Sequence, residues 1–254
     1  MSGQAGRPAP GGIPSSTLEE RIVNAVIPPR LYWRIRAWRG WLRGERELRL
    51  LKHLVDPRRN AVDAGANKGV YSYFLARYAR RCFAYEPNPK IRAILERSTR
   101  GANVTVSGAA LSDRAGTAAM MLPLRRGRPS NQTGSLRTDL VGRMEHLTIE
   151  VETRRLDDEP VGDVGFVKID VEGFERQVIE GAKGLIARCR PTLLVEIDEK
   201  NAGEKPEAAI RWIEGLGYAG LCLRGGVLTP VSRVDLAAEL AQGRFINNFV
   251  FLAR

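Results

Sequence analysis

The sequence predicts an α/β protein, with a mostly parallel sheet and helices on both faces. From residue 60 onward, short apolar runs alternate with helix-patterned segments. The runs are nearly continuously apolar, as strands covered on both faces are. Asp63, Glu86, Asp170, Glu196 and Asp198 all fall at the carboxyl ends of these runs, the edge where open parallel sheets bind ligands. A chain of 254 residues, 43% hydrophobic, can build one large domain with a tail.

Residues 1–16, rich in Gly, Pro and Ser, read as a disordered leader. They lack the basic start and apolar core of a secretory signal. Residues 17–56 read as a basic amphipathic helical extension. Leu31, Ile35, Trp38 and Leu42 recur at helical spacing, and Arg34, Arg36, Arg39 and Arg43 fill other faces. A break is expected at Gly40 or Gly44. Such a helix can cover an edge of the core, dock on a membrane surface or glycolipid, or contact nucleic acid.

Residues 57–254 form the expected core domain. Strands are predicted over 60–63, 82–85, 104–107 and 116–121, with helices over 70–80 and 89–99. Residues 122–139, "LPLRRGRPSNQTGSLRTD", are polar, basic and rich in turn formers, so they read as a loop that holds substrate. Further strands are expected over 147–158, 164–170, 191–198, 218–224 and 247–253, with helices over 175–187 and 206–216.

The net charge of +11 favours anionic partners: nucleic acid, membrane headgroups, or phosphorylated and acidic sugars. Cys82, Cys189 and Cys222 show no metal-knuckle spacing and read as free thiols of a reducing cytoplasm. No apolar stretch approaches the ~20 residues that span a bilayer. Of the two histidines, His53 precedes the core and reads as packing or surface, while His146 borders the long loop and is a candidate base.

"VDAGANKG", residues 62–69, is a strand, a glycine turn and a helix start. It departs from the dinucleotide fingerprint: Asn67 replaces the second glycine, and Asp63 precedes the turn, where it would repel a pyrophosphate. Glu86 ends the second strand, where an acid accepts both hydroxyls of a ribose. A nucleoside that carries an ammonium group rather than phosphates suits both acids, and S-adenosylmethionine is such a molecule. "ALSD", after the third strand, is where an adenine ring would lie.

"FVKIDVEGFE", residues 166–175, puts Lys168 inside an apolar strand, where an amine is costly unless paired. Asp170 and Glu172 follow. Helix capping explains part of this acid cluster; a general base beside the methyl donor explains the rest. Asp170 with Glu196 or Asp198 could hold a hard divalent cation such as Mg2+.

"VDAGANKGVYS", "AYEPNP", "ALSDRAG", "GFVKIDVEGFERQVIEGA", "RPTLLVEI" and "NNFVFL" stand in the order found in the FkbM-type methyltransferases, which residues 43–252 resemble. The resemblance implies a class I, Rossmann-like, seven-stranded mostly parallel sheet with its last strand antiparallel. It implies S-adenosylmethionine as cofactor and O-methylation of sugar or polyketide hydroxyls. Asp63, Gly65, Asn67 and Gly69 would line the methionine end, Glu86 with Asn88 would hold the ribose, Ala110 and Leu111 would border the adenine, and Ala66, Tyr71 and Pro87 would be further cofactor contacts. Asp170 would border both cofactor and acceptor, with Glu172 and His146 as further catalytic candidates. Many members carry histidine where this chain has Phe174, which moves the base to Asp170, an assisting cation or His146.

The expected reaction is O-methylation of a saccharide or glycolipid. The rivals are an RNA methyltransferase, a natural-product O-methyltransferase and a non-enzymatic nucleoside-binding module. No base-methylation tetrad follows the fourth strand, so nucleic acid is disfavoured. The expected setting is cytoplasmic, with peripheral membrane contact through the basic helix and a homodimer left open.

Overall fold

Apolar strands that alternate their side chains between two helical layers build the centre of the molecule. We describe a computed structural model covering residues 27–125, 128–129, 146–198 and 205–254. β1 (Asn60–Ala64), β2 (Cys82–Tyr85), β3 (Val104–Ser107), β8 (Val164–Ile169) and β9 (Thr192–Glu196) run parallel, in the spatial order β3-β2-β1-β8-β9. β12 (Asn248–Ala253) lies antiparallel between β9 and β10 (Tyr218–Arg224). The last strand is therefore antiparallel, as expected. The sheet has eight strands rather than seven. The extra one, β11 (Val227–Pro230), folds back on β10 as a hairpin.

The alternation divides the core. Ala61, Phe166, Leu194 and Val250 face a cluster shared with Trp33 and Ala37 of α1 (Pro29–Arg43), α2 (Leu51–Leu54) and Phe74 of α3 (Val70–Tyr78). Val62, Val167, Leu193 and Phe249 face the other cluster. That one holds Val178 of α5 (Glu175–Glu180), Leu185 of α6 (Lys183–Cys189) and Ile210 of α7 (Pro206–Glu214). α4 (Pro89–Thr99) places Leu95 against Ala66 and Ala84. α8 (Leu236–Ala241) adds Leu236 to the second cluster.

α1 runs through Gly40 and stops at Gly44, one of the two expected break points. Two local expectations change. The helix expected over 175–187 is two short helices divided at Gly181, where a side chain would meet the Ser112 carbonyl at 1.9 Å. The segment expected as a loop from 122 begins as strand. β5 (Gly116–Arg125) pairs antiparallel with β7 (His146–Arg154) as far as Pro123↔His146. Fully buried Leu122, packed with Met120 and Val151, holds that extension in place. β4 (Ala110–Leu111) and β6 (Arg128–Pro129) flank this second sheet, in the order β4-β7-β5-β6. The rest of the basic stretch, residues 126–127 and 130–139, lies outside the described residues, as does the leader 1–16.

Candidate active site

The rim is built on the turn after β1. Gly65, Asn67 and Gly69 all take positive φ, at 78°, 49° and 79°. The amides of Gly65 and Ala66 both donate to the Tyr85 carbonyl, at 3.0 and 2.9 Å. A side chain at Gly65 would stand 1.7 Å from the Asp170 carbonyl oxygen. The close neighbour that demands glycine is thus the end of β8, and the turn joins the two strand ends. The Trp33 indole donates to the Gly69 carbonyl at 2.6 Å and ties α1 to the same turn.

Glu86 holds the turn from the next strand. Its Oε2 accepts the Asn67 amide and its Oε1 the Asn88 amide, each at 2.8 Å. Burial pushes its carboxyl up to about 7, against the pull of those two bonds. Each oxygen retains a further lone pair, so the group can accept both hydroxyls of a ribose. Asn88 caps α4 by accepting from the Lys90 and Ile91 amides.

Under the turn lies a buried charge network. Asp63 is 1% exposed, and Ser72 Oγ donates to it at 2.5 Å. Burial raises its pKa, opposed by the charge of Lys168. Lys168, 1% exposed, places Nζ 2.6 Å from Asp170 Oδ2 and 4.7 Å from the centre of the Tyr71 ring. Burial pulls the ammonium down, but Asp170, Glu45 and Asp63 outweigh it and hold it above its ordinary value. The Tyr71 hydroxyl donates to Glu45.

Asp170 reaches the surface at the strand end, its side chain 29% exposed. Glu196 hydrogen-bonds to it, and Asn247 Nδ2 donates to Glu196 Oε1 at 2.6 Å. Burial, then the Asp170 charge, pushes the Glu196 carboxyl up. Glu172 sits at φ 53°, uncommon for a side-chain-bearing residue. Burial and Asp170 raise its carboxyl to about 7. Glu175 caps the bend by accepting from the Gly173 amide at 2.9 Å.

The rim thus gathers Asp63, Gly65, Ala66, Asn67, Gly69, Glu86, Asn88 and Asp170. Ala110 and Leu111 are buried in β4, and Leu111 shares a core cluster with Ala64 and Tyr85. Pro87 is half-buried beside Glu86. Tyr71 belongs to the charge network through its ring and hydroxyl.

His146 is exposed at the start of β7. It lies seven residues from Thr153, where β7 pairs with Ala110 of β4, about 24 Å along the strand. The expected cation site does not form: among the described residues no group of three or more His, Cys, Asp or Glu side chains is placed to hold a metal ion. Asp170 has the Lys168 ammonium as its cation, and Glu196 accepts from Asn247.

Glu45, Ser72 and Asn247 were missed by sequence reasoning. Ser72, one turn into α3, could have been noticed as the first hydroxyl able to reach back to Asp63. Glu45, an acid in an arginine-rich stretch, gave only a weak signal.

A parallel sheet crossing over at β1, an antiparallel last strand and an acid at the end of β2 define the class: a Rossmann-like class I methyltransferase fold. The family model of the Methyltransferase FkbM domain matches residues 63–219, and the chain belongs to that family of S-adenosylmethionine-dependent methyltransferases. It is similar in fold to methyltransferase FkbM from Methylobacillus flagellatus. That likeness has TM-score 0.50 and 17% identity, and covers 77% of this chain and 44% of the other. This chain therefore spans under half the length of that protein. An rRNA methylase from Streptococcus thermophilus aligns at TM-score 0.44 and 11% identity, covering 82% of this chain and 95% of that one. SMU.1697c of Streptococcus mutans, in complex with SAH, aligns at 0.46 and 8%, covering 81% and 94%. No curated protein matches the sequence. The residues present fit the family's cofactor: Glu86 offers two acceptor oxygens to a ribose, and the partly exposed Asp170 carboxylate stands on the strand end that touches the turn.

Proposed function

We propose that the chain is an O-methyltransferase that acts on a hydroxyl of a saccharide or glycolipid-type acceptor, with Asp170 as general base. The observation that carries this reading is the Lys168–Asp170 pair: a partly exposed carboxylate, fixed at 2.6 Å by a buried ammonium, on the strand end that touches the glycine turn. A carboxylate so placed can take the proton of a hydroxyl as its oxygen gains a methyl group.

The cofactor, when bound, supplies a methyl group already activated on a sulfonium. The chain's own residues do the rest. Glu86 and the Asn67–Gly69 turn hold the nucleoside. Lys168 and Glu196 fix the Asp170 carboxylate, so that little reorganisation precedes proton transfer. Glu172, raised to about 7, is a second carboxyl at the rim that can pass the proton to solvent. The preference for saccharide rests on the resemblance to FkbM-type enzymes and on the +11 charge, which suits phosphate-bearing acceptors.

The test is incubation with methyl-labelled S-adenosylmethionine and separate pools of lipid-linked saccharides, free oligosaccharides and RNA. Label in a base-stable ether on sugar is expected. Label confined to RNA would contradict the reading.

A further inference from the structure

α1 carries two apolar faces. One buries Trp33 and Ala37 against the body of the protein. The other presents Leu31, Ile35, Trp38 and Leu42, between 37% and 60% exposed, at helical spacing along one stripe. The stripe is about 16 Å long. Arg34, Arg39 and Arg43 are exposed on the same helix, and none of them pairs with an acid among the described residues. Trp38 also stands edge-on to Phe74 of the core at 6.1 Å; Leu31, Ile35 and Leu42, on a helix already anchored by its opposite face, are not needed to close this core.

A cavity of about 590 Å³ opens at the amino end of the helix, between α1 and α3. Arg30, Arg34 and Arg77 line it with Trp33, Tyr73 and Asn103. The Arg30 guanidinium is steered by a bond to the Arg100 carbonyl at 2.9 Å, and that of Arg77 by one to the Tyr73 carbonyl at 2.8 Å. Each keeps further N–H donors for an anion. Leu31 belongs to both cavity and stripe.

We propose that α1 docks the protein on an anionic lipid bilayer. Phosphate headgroups enter the Arg30–Arg34–Arg77 cavity, and Leu31, Ile35, Trp38 and Leu42 sit among the upper acyl chains. Charge complementarity chooses this occupant: a basic, apolar-striped helix on a chain of net charge +11 suits an interface that is anionic at its surface and apolar beneath. Nucleic acid would leave the aliphatic stripe in water. The Trp33–Gly69 bond ties the docked helix, on its protein-facing side, to the glycine turn. The inference does not depend on the acceptor's identity, because it is read by binding alone.

The experiment is co-sedimentation of the full chain with vesicles of phosphatidylcholine, with and without phosphatidylglycerol. Tight binding is expected only with the anionic lipid. Arg34→Gln with Arg39→Gln should weaken it about thirtyfold. Ile35→Ser with Leu42→Ser should weaken it at least about tenfold. Both variants should keep the parent's melting temperature, since the replaced side chains are exposed. Binding equal on both vesicle types, or unchanged in both variants, overturns the proposal. So does an oligomer in solution that is lost in the Ile35/Leu42 variant, which would give the stripe to a second copy. Tight binding of glycerol 3-phosphate without any vesicle binding would assign the cavity to a soluble phosphate and likewise overturn it.

Discussion

The two ends of the parallel sheet treat charge in opposite ways. At the amino end, Arg59 donates through Nη2 to the Val164 and Cys189 carbonyls at 2.6 Å and pairs with Asp163. Arg190 donates to the Leu216 and Gly217 carbonyls at 3.0 and 2.6 Å. These cations staple strand ends through backbone carbonyls. At the carboxyl end, Asp63, Glu86, Lys168, Glu172 and Glu196 are crowded together, and burial raises the pKa of every acid among them. A fold seeking only stability would not collect desolvated acids at one rim. The amino end shows what this chain does with charge for structure, and the carboxyl end what it keeps for chemistry.

The strongest way to break the contrast is Gly65→Ala. The added carbon meets the Asp170 carbonyl and sits at positive φ, so a loss of about 3–5 kcal/mol is expected. Denaturant unfolding checks it, and an unchanged midpoint would disconnect the two strand ends.

Asp170→Asn strips the buried Lys168 of its partner and should cost about 3 kcal/mol. Turnover should fall about 10²–10⁴-fold, with cofactor affinity nearly kept. Adding Lys168→Met to Asp170→Asn should recover most of the stability and none of the turnover. Recovery of turnover would place the base elsewhere.

Arg190→Ala, at the opposite end, should cost about 2 kcal/mol and leave turnover per folded molecule unchanged. A change in turnover would end the division of labour between the two edges.

The smallest effect is that of pH. Glu86 and Glu172 have pKa values raised from 4.5 to about 7, so the folded chain binds more protons than the unfolded chain between these values. Their contribution to stability is fully present below pH 4.5 and is withdrawn as pH rises toward 7. Cofactor affinity moves the other way. Ribose hydroxyls donate best to an ionised Glu86, so affinity should fall, by up to about tenfold per unit, as pH drops below about 7. A pH series of calorimetric titrations reads both the direction and the midpoint.

The carboxyl rim was legible because strand ends are marked by where apolar runs stop. Asp63, Glu86 and Asp170 could be placed on one edge without knowing a single contact, and Lys168 announced a partner by standing in an apolar strand. The identity of each partner was not legible. A glycine at 65 states that something approaches closely, but not that it is the Asp170 carbonyl rather than a ligand. Glu45 and Ser72 join the network from α1's end and from α3, positions fixed only by helix packing. The arm of β5 and β7 was half seen, because Arg125 and Pro123 look like loop until Leu122 is found buried. The cation site failed for a similar reason: acids on neighbouring strand ends look convergent until Lys168 and Asn247 are found bonded to them.

The most direct test of the central claim is calorimetry of the purified chain with S-adenosylmethionine, S-adenosylhomocysteine and NAD, repeated on Glu86→Ala. We expect one site for each of the first two, no heat with NAD, and a loss of at least about tenfold in affinity in the variant. Binding of NAD in their place, or an affinity for S-adenosylmethionine indifferent to Glu86, would contradict a nucleoside held between the turn and that carboxylate.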